Sequence, residues 1–175
     1  MTAPVVLVAD PPWQMQDKLP HGGSAKHYKL ISQADLECID LPDEVEQASN
    51  AVLFLWRLSS CPDEALRVVR AWRFRPKSEL VWLKQTRYGK THFGMGRYVR
   101  MAHETCIIAT RGKAFPDAHN VRSVFTAAVR EHSRKPEEFY SIVQELYPRS
   151  TYYELFARTV REGWVQTGDQ LGVLS

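Results

Sequence analysis

Cysteine is scarce in this chain: Cys38, Cys61 and Cys106 are the three in 175 residues, and none lies close to another. An odd, scattered set builds no disulfide framework and supplies no paired zinc ligands, so a reducing compartment is expected. Long apolar runs are also missing. No stretch of eighteen apolar residues occurs, and no basic leader precedes an apolar segment near the start, which predicts neither a membrane span nor a signal peptide and points to a cytoplasmic protein. No Gly-x-Gly-x-x-Gly string follows the first apolar run, and Gly94-Met95-Gly96 is too short to replace one. Those glycines read as loop residues. There is no internal repeat and no low-complexity tract. At this length a single domain, residues 1 to 175, is expected, large enough to bury a core without staples.

The net charge is a mild +3, but acid is nearly absent from one window. From Lys84 to Lys113 the chain carries Lys84, Arg87, Lys90, Arg97, Arg100, Arg111 and Lys113 against Glu104 alone. The remainder is therefore slightly acidic, and the asymmetry predicts a basic surface facing a polyanion, nucleic acid being the obvious one. Tyr88, His92, Phe93 and Tyr98 are interleaved with these cations and could stack on bases.

Apolar runs at 5 to 9, 51 to 56, 79 to 84, 104 to 109 and 151 to 156 are short, rich in β-branched or aromatic residues, and bounded by polar residues, so they predict strands. Helices are predicted between them. One opens at Ser60-Cys61-Pro62-Asp63-Glu64 and repeats Ala65, Leu66, Val69 and Trp72 at helical spacing. Another begins near Ser133-Arg134-Lys135-Pro136-Glu137-Glu138, carries Phe139, Ile142, Val143, Leu146 and Tyr147, and stops at Pro148. Such alternation predicts an α/β fold with a mostly parallel sheet and flanking helices. Residues 14 to 35 and 85 to 102 fit neither period and are expected to be loops, of a length that is usually functional.

The first strand runs directly into Asp10-Pro11-Pro12-Trp13. The prolines fix φ and keep the preceding residues extended, so the chain leaves the strand rigid. Asp10 offers carboxylate oxygens, Pro11 a carbonyl and Trp13 a flat face, a set that suits an exocyclic amine on a planar base. Read without context, the same string is also a plain turn followed by a core aromatic. Its place at the carboxyl end of a buried strand favours a site, because ligands of open α/β sheets bind there.

Taken in order, Asp10-Pro11-Pro12-Trp13, the loop holding His27-Tyr28, the stretch Gly94 to Glu104, Ser133-x-Lys135-Pro136 and Glu154-Leu155-Phe156-Ala157-Arg158 resemble the MT-A70-type adenine-N6 methyltransferases. The resemblance spans residues 5 to 171 and is closest to small prokaryotic or phage members. It implies a Rossmann-like methyltransferase fold with permuted motif order, the catalytic strand first and the cofactor strand near the end. It also implies S-adenosylmethionine as methyl donor, no metal, and adenine in a nucleic acid as acceptor, with DNA favoured over RNA.

By that resemblance Asp10, Pro11, Pro12 and Trp13 form the catalytic turn, with Asp10 and the Pro11 carbonyl holding the N6 amine and Trp13 stacking on the base. Lys135, Phe156, Arg158, Asp169 and Gln170 are implied at the cofactor, Lys135 neutralising its carboxylate; Asp169 departs from the family asparagine. Tyr28, Arg97, Arg100 and Glu104 are implied at the substrate, although Arg100 and Glu104, four apart, would equally form an ion pair on a helix. Two readings stand beside DNA methylation: the same reaction on RNA, and a catalytically silent nucleic-acid-binding subunit. Methylation of a protein amide is disfavoured by the Asp, the Trp and the basic loop. A bacterial or phage-infected cytoplasm is the implied setting, and monomer, homodimer and a partner subunit all stay open.

Overall fold

The computed structural model describes residues 3–14, 30–94, 96, 98–130 and 134–168. Its centre is the strand β1, Val5–Ala9, paired in parallel with β2, Ala51–Arg57, on one side and with β6, Tyr152–Leu155, on the other. Near-continuous apolar sequence is what a strand covered on both faces requires, and β1 and β2 have it. Alternation then sorts their side chains. Leu7, Ala9, Leu53 and Leu55 face one core; Val6, Val8, Val52, Phe54 and Trp56 face the other.

The first face is covered by α3, Pro62–Ala71, whose Ala65, Val68 and Val69 are buried, and by the short α1, Gln33–Glu37. The Trp72 indole donates to the Leu36 carbonyl at 2.9 Å and ties the two helices together. A second short helix, α2, Asp43–Gln47, leads into β2. The opposite face is covered by α4, Glu137–Leu146, which buries Phe139, Tyr140, Val143 and Leu146. Phe139 meets Phe54 and Trp56 edge-on, with ring centroids 6.1 and 4.9 Å away, a favoured aromatic geometry.

The sheet is completed by β3, Arg75–Gln85, β4, His103–Arg111, β5, Val124–Ala128, and β7, Trp164–Thr167. Its order is β5-β3-β4-β2-β1-β6-β7, mostly parallel as expected, with β4 antiparallel to both its neighbours. The five strands and two longer helices anticipated from periodicity are present. Four elements were not anticipated. β5 and β7 lie at the edges, short and partly exposed, and β7 is half polar, so their signal is weak; α1 and α2 have five residues each, too few to establish a helical period. α1 also takes residues 33 to 35 out of the segment expected to be a loop. Between β3 and β4 the chain is a loop as anticipated, pinned by the bridges Gln85↔Thr91 and Gly94↔Met101.

Candidate active site

Asp10 leaves the carboxyl end of β1 and sits where the chain from residue 134 and the exit of β6 converge. A cleft there is lined by Asp10, Trp56, Arg134, Lys135, Phe156 and Arg158, with Tyr140 and Glu154 behind them. Lys135 precedes α4, is 8% exposed, and is the hub of the cluster. Its Nζ lies 2.8 Å from Asp10 Oδ2 and 3.1 Å from Glu104 Oε2, over the Trp56 ring at 5.0 Å. Glu104 is held in turn by Lys84 at 2.7 Å, and Arg158 approaches Asp10 Oδ2 at 3.7 Å.

This alternation of charge decides the protonation states. Burial would raise the Glu104 carboxyl, but the charges and hydrogen bonds of Lys135 and Lys84 outweigh it and hold the pKa at about 2. Burial would likewise depress Lys135, yet Asp10 and Glu104 push it above its ordinary value. Behind the cleft, Glu154 accepts from the Tyr140 hydroxyl at 2.7 Å and from the Gln166 amide at 2.6 Å. Burial raises the Glu154 carboxyl in spite of these bonds, and burial beside that acid moves the Tyr140 phenol well up.

The turn itself is fixed by backbone bonds. The Trp13 N–H donates to the Pro11 carbonyl at 2.9 Å, and the Ile31 N–H donates to the Pro12 carbonyl at 2.9 Å. The Pro11 oxygen is therefore already an acceptor and keeps one lone pair. Trp13, expected to present an open face, is 7% exposed and packs in the core, its indole donating to the Trp56 carbonyl at 2.9 Å. Phe156 takes a left-handed φ of +62°, a conformation costly for any residue but glycine and found where a site must turn a side chain.

Of the residues singled out in the sequence, Asp10, Lys135, Phe156 and Arg158 line one cleft. Glu104 joins them through Lys135, on a strand and not on a helix, so a helical Arg100–Glu104 pair is replaced by the ion pairs to Lys84 and Lys135. Arg100 is exposed on the loop before β4. Tyr28, Arg97, Asp169 and Gln170 lie outside the described residues. Trp56, Lys84, Arg134, Tyr140 and Glu154 were not singled out as site residues. Only Glu154 left a signal, a lone acid inside the apolar run Tyr152-Tyr153-Glu154-Leu155.

A parallel-rich sheet with two helical layers, carrying a charged cluster at the carboxyl end of its central strand, defines a Rossmann-like methyltransferase fold. The family model for MT-A70 matches residues 4–170, and the chain belongs to that family. It is 28% identical over 174 residues to an N(6)-adenosine-methyltransferase MT-A70-like protein of Arabidopsis thaliana, covering 95% of this chain and 23% of that protein. It is 28% identical over 177 residues to the N(6)-adenosine-methyltransferase catalytic subunit METTL3 of Homo sapiens, covering 95% of this chain and 28% of the human one. It is also 24% identical over 184 residues to the type II methyltransferase M.MunI of a Mycoplasma species, covering 93% of this chain and 76% of that enzyme. The chain thus spans about a quarter of the length of the plant and human relatives.

Proposed function

We propose that this domain methylates N6 of adenine in nucleic acid, with DNA as the polymer and S-adenosylmethionine as the donor. The observation that carries the reading is Asp10, clamped at the end of β1 by Lys135 at 2.8 Å beside a proline carbonyl that keeps a lone pair. The family supports the reaction. The similarity to a type II methyltransferase supports DNA.

The lining of this cleft, about 10 Å³ as it stands, carries polar groups of the kind that hold the amino-acid end of the donor. Arg134 Nε and Trp56 Nε1 are buried without an acceptor among the described residues, and Lys135 has a third N–H beyond those directed at Asp10 and Glu104. These donors would hold a carboxylate. When bound, S-adenosylmethionine supplies an electrophilic methyl group on a sulfonium sulfur.

The chain's own part is orientation and proton acceptance. An aniline-like amine is a weak nucleophile, so alignment and stabilisation of the charge it develops carry the rate. Lys135 and Arg158 both approach Asp10 Oδ2, which leaves Oδ1 to accept from the amine. The free lone pair of Pro11 takes the second N–H and fixes the direction of the nitrogen lone pair. Trp13, anchored in the core, holds the turn and closes one wall; a base paired in a duplex must be flipped to reach it.

The test is methyl transfer from labelled S-adenosylmethionine to single- and double-stranded DNA and to matched RNA. Asp10→Ala should lower the rate by roughly 10²–10³-fold while leaving the far-ultraviolet circular dichroism unchanged. Label on RNA alone would shift the reading to RNA, which the adenosine-methyltransferase names of the plant and human relatives favour. Label that persists in Asp10→Ala would remove Asp10 from the reaction.

A further inference from the structure

β4 carries Glu104 into the site at one end and Arg111 to the opposite end of the sheet, seven residues on and roughly 24 Å away at ~3.4 Å per residue. There Arg73, Arg75, Lys77, Thr110, Arg111 and Gly112 line a second cleft of about 450 Å³. Most of that lining is cationic. Glu46 reaches it, in an ion pair with Arg73.

Arg111 is held rigidly at its base. Its guanidinium lies 5.0 Å from the centroid of the Phe74 ring, Nη2 donates to the Val45 carbonyl, and Nε and Nη1 are buried without an acceptor among the described residues. Burial, and then the neighbouring charge of Arg73, lower its pKa from the ordinary value, as expected of a cation with no counter-ion among the described residues.

The backbone around it is also unusual. Arg73 follows the cap of α3 with φ of +62°, a position where glycine is the usual residue. Lys77 is the extra residue of a bulge between Pro76 and Ser78, a device that redirects side chains. Gly112 has φ of +67°, and a Cβ there would stand 2.0 Å from the Ser49 carbonyl oxygen. The chain accepts a left-handed arginine and a bulged lysine where plainer residues would fold more easily, and both put positive charge on one cleft.

We infer that this cleft binds a phosphate group, with the exposed Arg73, Arg75 and Lys77 as the contacting cations and the buried charge of Arg111 behind them. Several cations around one cleft exceed what a single carboxylate needs and match the charge and many acceptors of a phosphate. The group could come from the backbone of a bound nucleic-acid strand or from a free phosphorylated small molecule. The site is separate from the methyl-transfer centre and does not depend on it.

Pyrophosphate, titrated into the full chain and followed by calorimetry and by the arginine Nε–Hε resonances, tests the inference. Binding with a shift of the Arg111 resonance is expected, unchanged in Asp10→Ala. The exposed pair Arg75→Glu with Lys77→Glu should weaken it by roughly tenfold or more without moving the thermal midpoint. No pyrophosphate binding, or equal binding to the doubly reversed variant, would overturn the site. Oligonucleotides then identify the source. A dinucleotide is too short to reach from Asp10 to Arg111. If the double reversal weakens a strand of about twenty nucleotides and spares a dinucleotide, the phosphate belongs to the nucleic-acid backbone. If it spares both while abolishing pyrophosphate binding, the ligand is a free phosphorylated molecule.

Discussion

Lys84, Glu104, Lys135 and Asp10 form a chain of alternating charge in which each interior member has two partners. Removing one leaves a half-buried charge uncompensated, which costs more than the pair contributes. Glu104 is the informative position. Its folded pKa, about 2, lies below the ordinary carboxyl value of 4.5, so the stability it lends is fully present above pH 4.5 and is lost as the pH falls toward 2. Glu104→Gln should therefore lower stability at neutral pH by on the order of 2 kcal/mol, after allowance for its partial exposure. The gap to the parent should close between pH 4.5 and 2, as read from urea midpoints across that range. A constant gap would mean that Glu104 acts by packing alone.

The exits of β6 and β7 meet at a close backbone approach. A Cβ on Gly168 would stand 2.3 Å from the Ala157 carbonyl oxygen and 2.7 Å from its nitrogen, so these two segments touch only because residue 168 lacks a side chain. The Ala157 N–H donates to the Thr167 carbonyl at 3.0 Å at the same junction, next to the left-handed Phe156. Gly168→Ala must push the two ends apart. A loss of about 2–4 kcal/mol is expected, with weaker S-adenosylmethionine binding by calorimetry, because Phe156 and Arg158 move with the β6 exit. The helices behave more simply. Val143 is fully buried on the inner face of α4, and Val143→Ala should cost about 2 kcal/mol in chemical denaturation through lost burial and the cavity left behind.

Across the whole molecule, charge is unevenly spread in a way the +3 total conceals. Arg87 and Lys90 are exposed on the loop between β3 and β4, beside the exposed rings of Tyr88, Phe93 and Tyr98. If that loop follows a nucleic-acid backbone, each cation releases about one counter-ion. Replacing Arg87 and Lys90 by Ser should then reduce the slope of log K against log salt by ~1.4 for a single strand and ~1.8 for a duplex, as measured by fluorescence anisotropy. An unchanged slope would place the polyanion elsewhere.

Several features were legible in the chain because they depend on local pattern. The apolar runs at 5 to 9 and 51 to 56 read as strands and are β1 and β2, and the helical spacing of Ala65, Leu66, Val69 and Trp72 read as a helix and belongs to α3 and its cap. Asp10 at the end of the first strand was readable for the same reason, since Asp-Pro-Pro fixes its own geometry. Polar edges and single-turn helices were not, because β5, β7, α1 and α2 owe their form to neighbours and carry little period of their own. Tertiary structure alone decided what the charges do. Lys135 and Asp10 are 125 residues apart, yet sheet order brings them to 2.8 Å and inserts Glu104 between Lys84 and Lys135. The same folding turned Trp13 from a free face into a buried wall. Sequence determines which side chains can be buried or charged; which charge meets which depends on strand order, a long-range property that no local pattern contains.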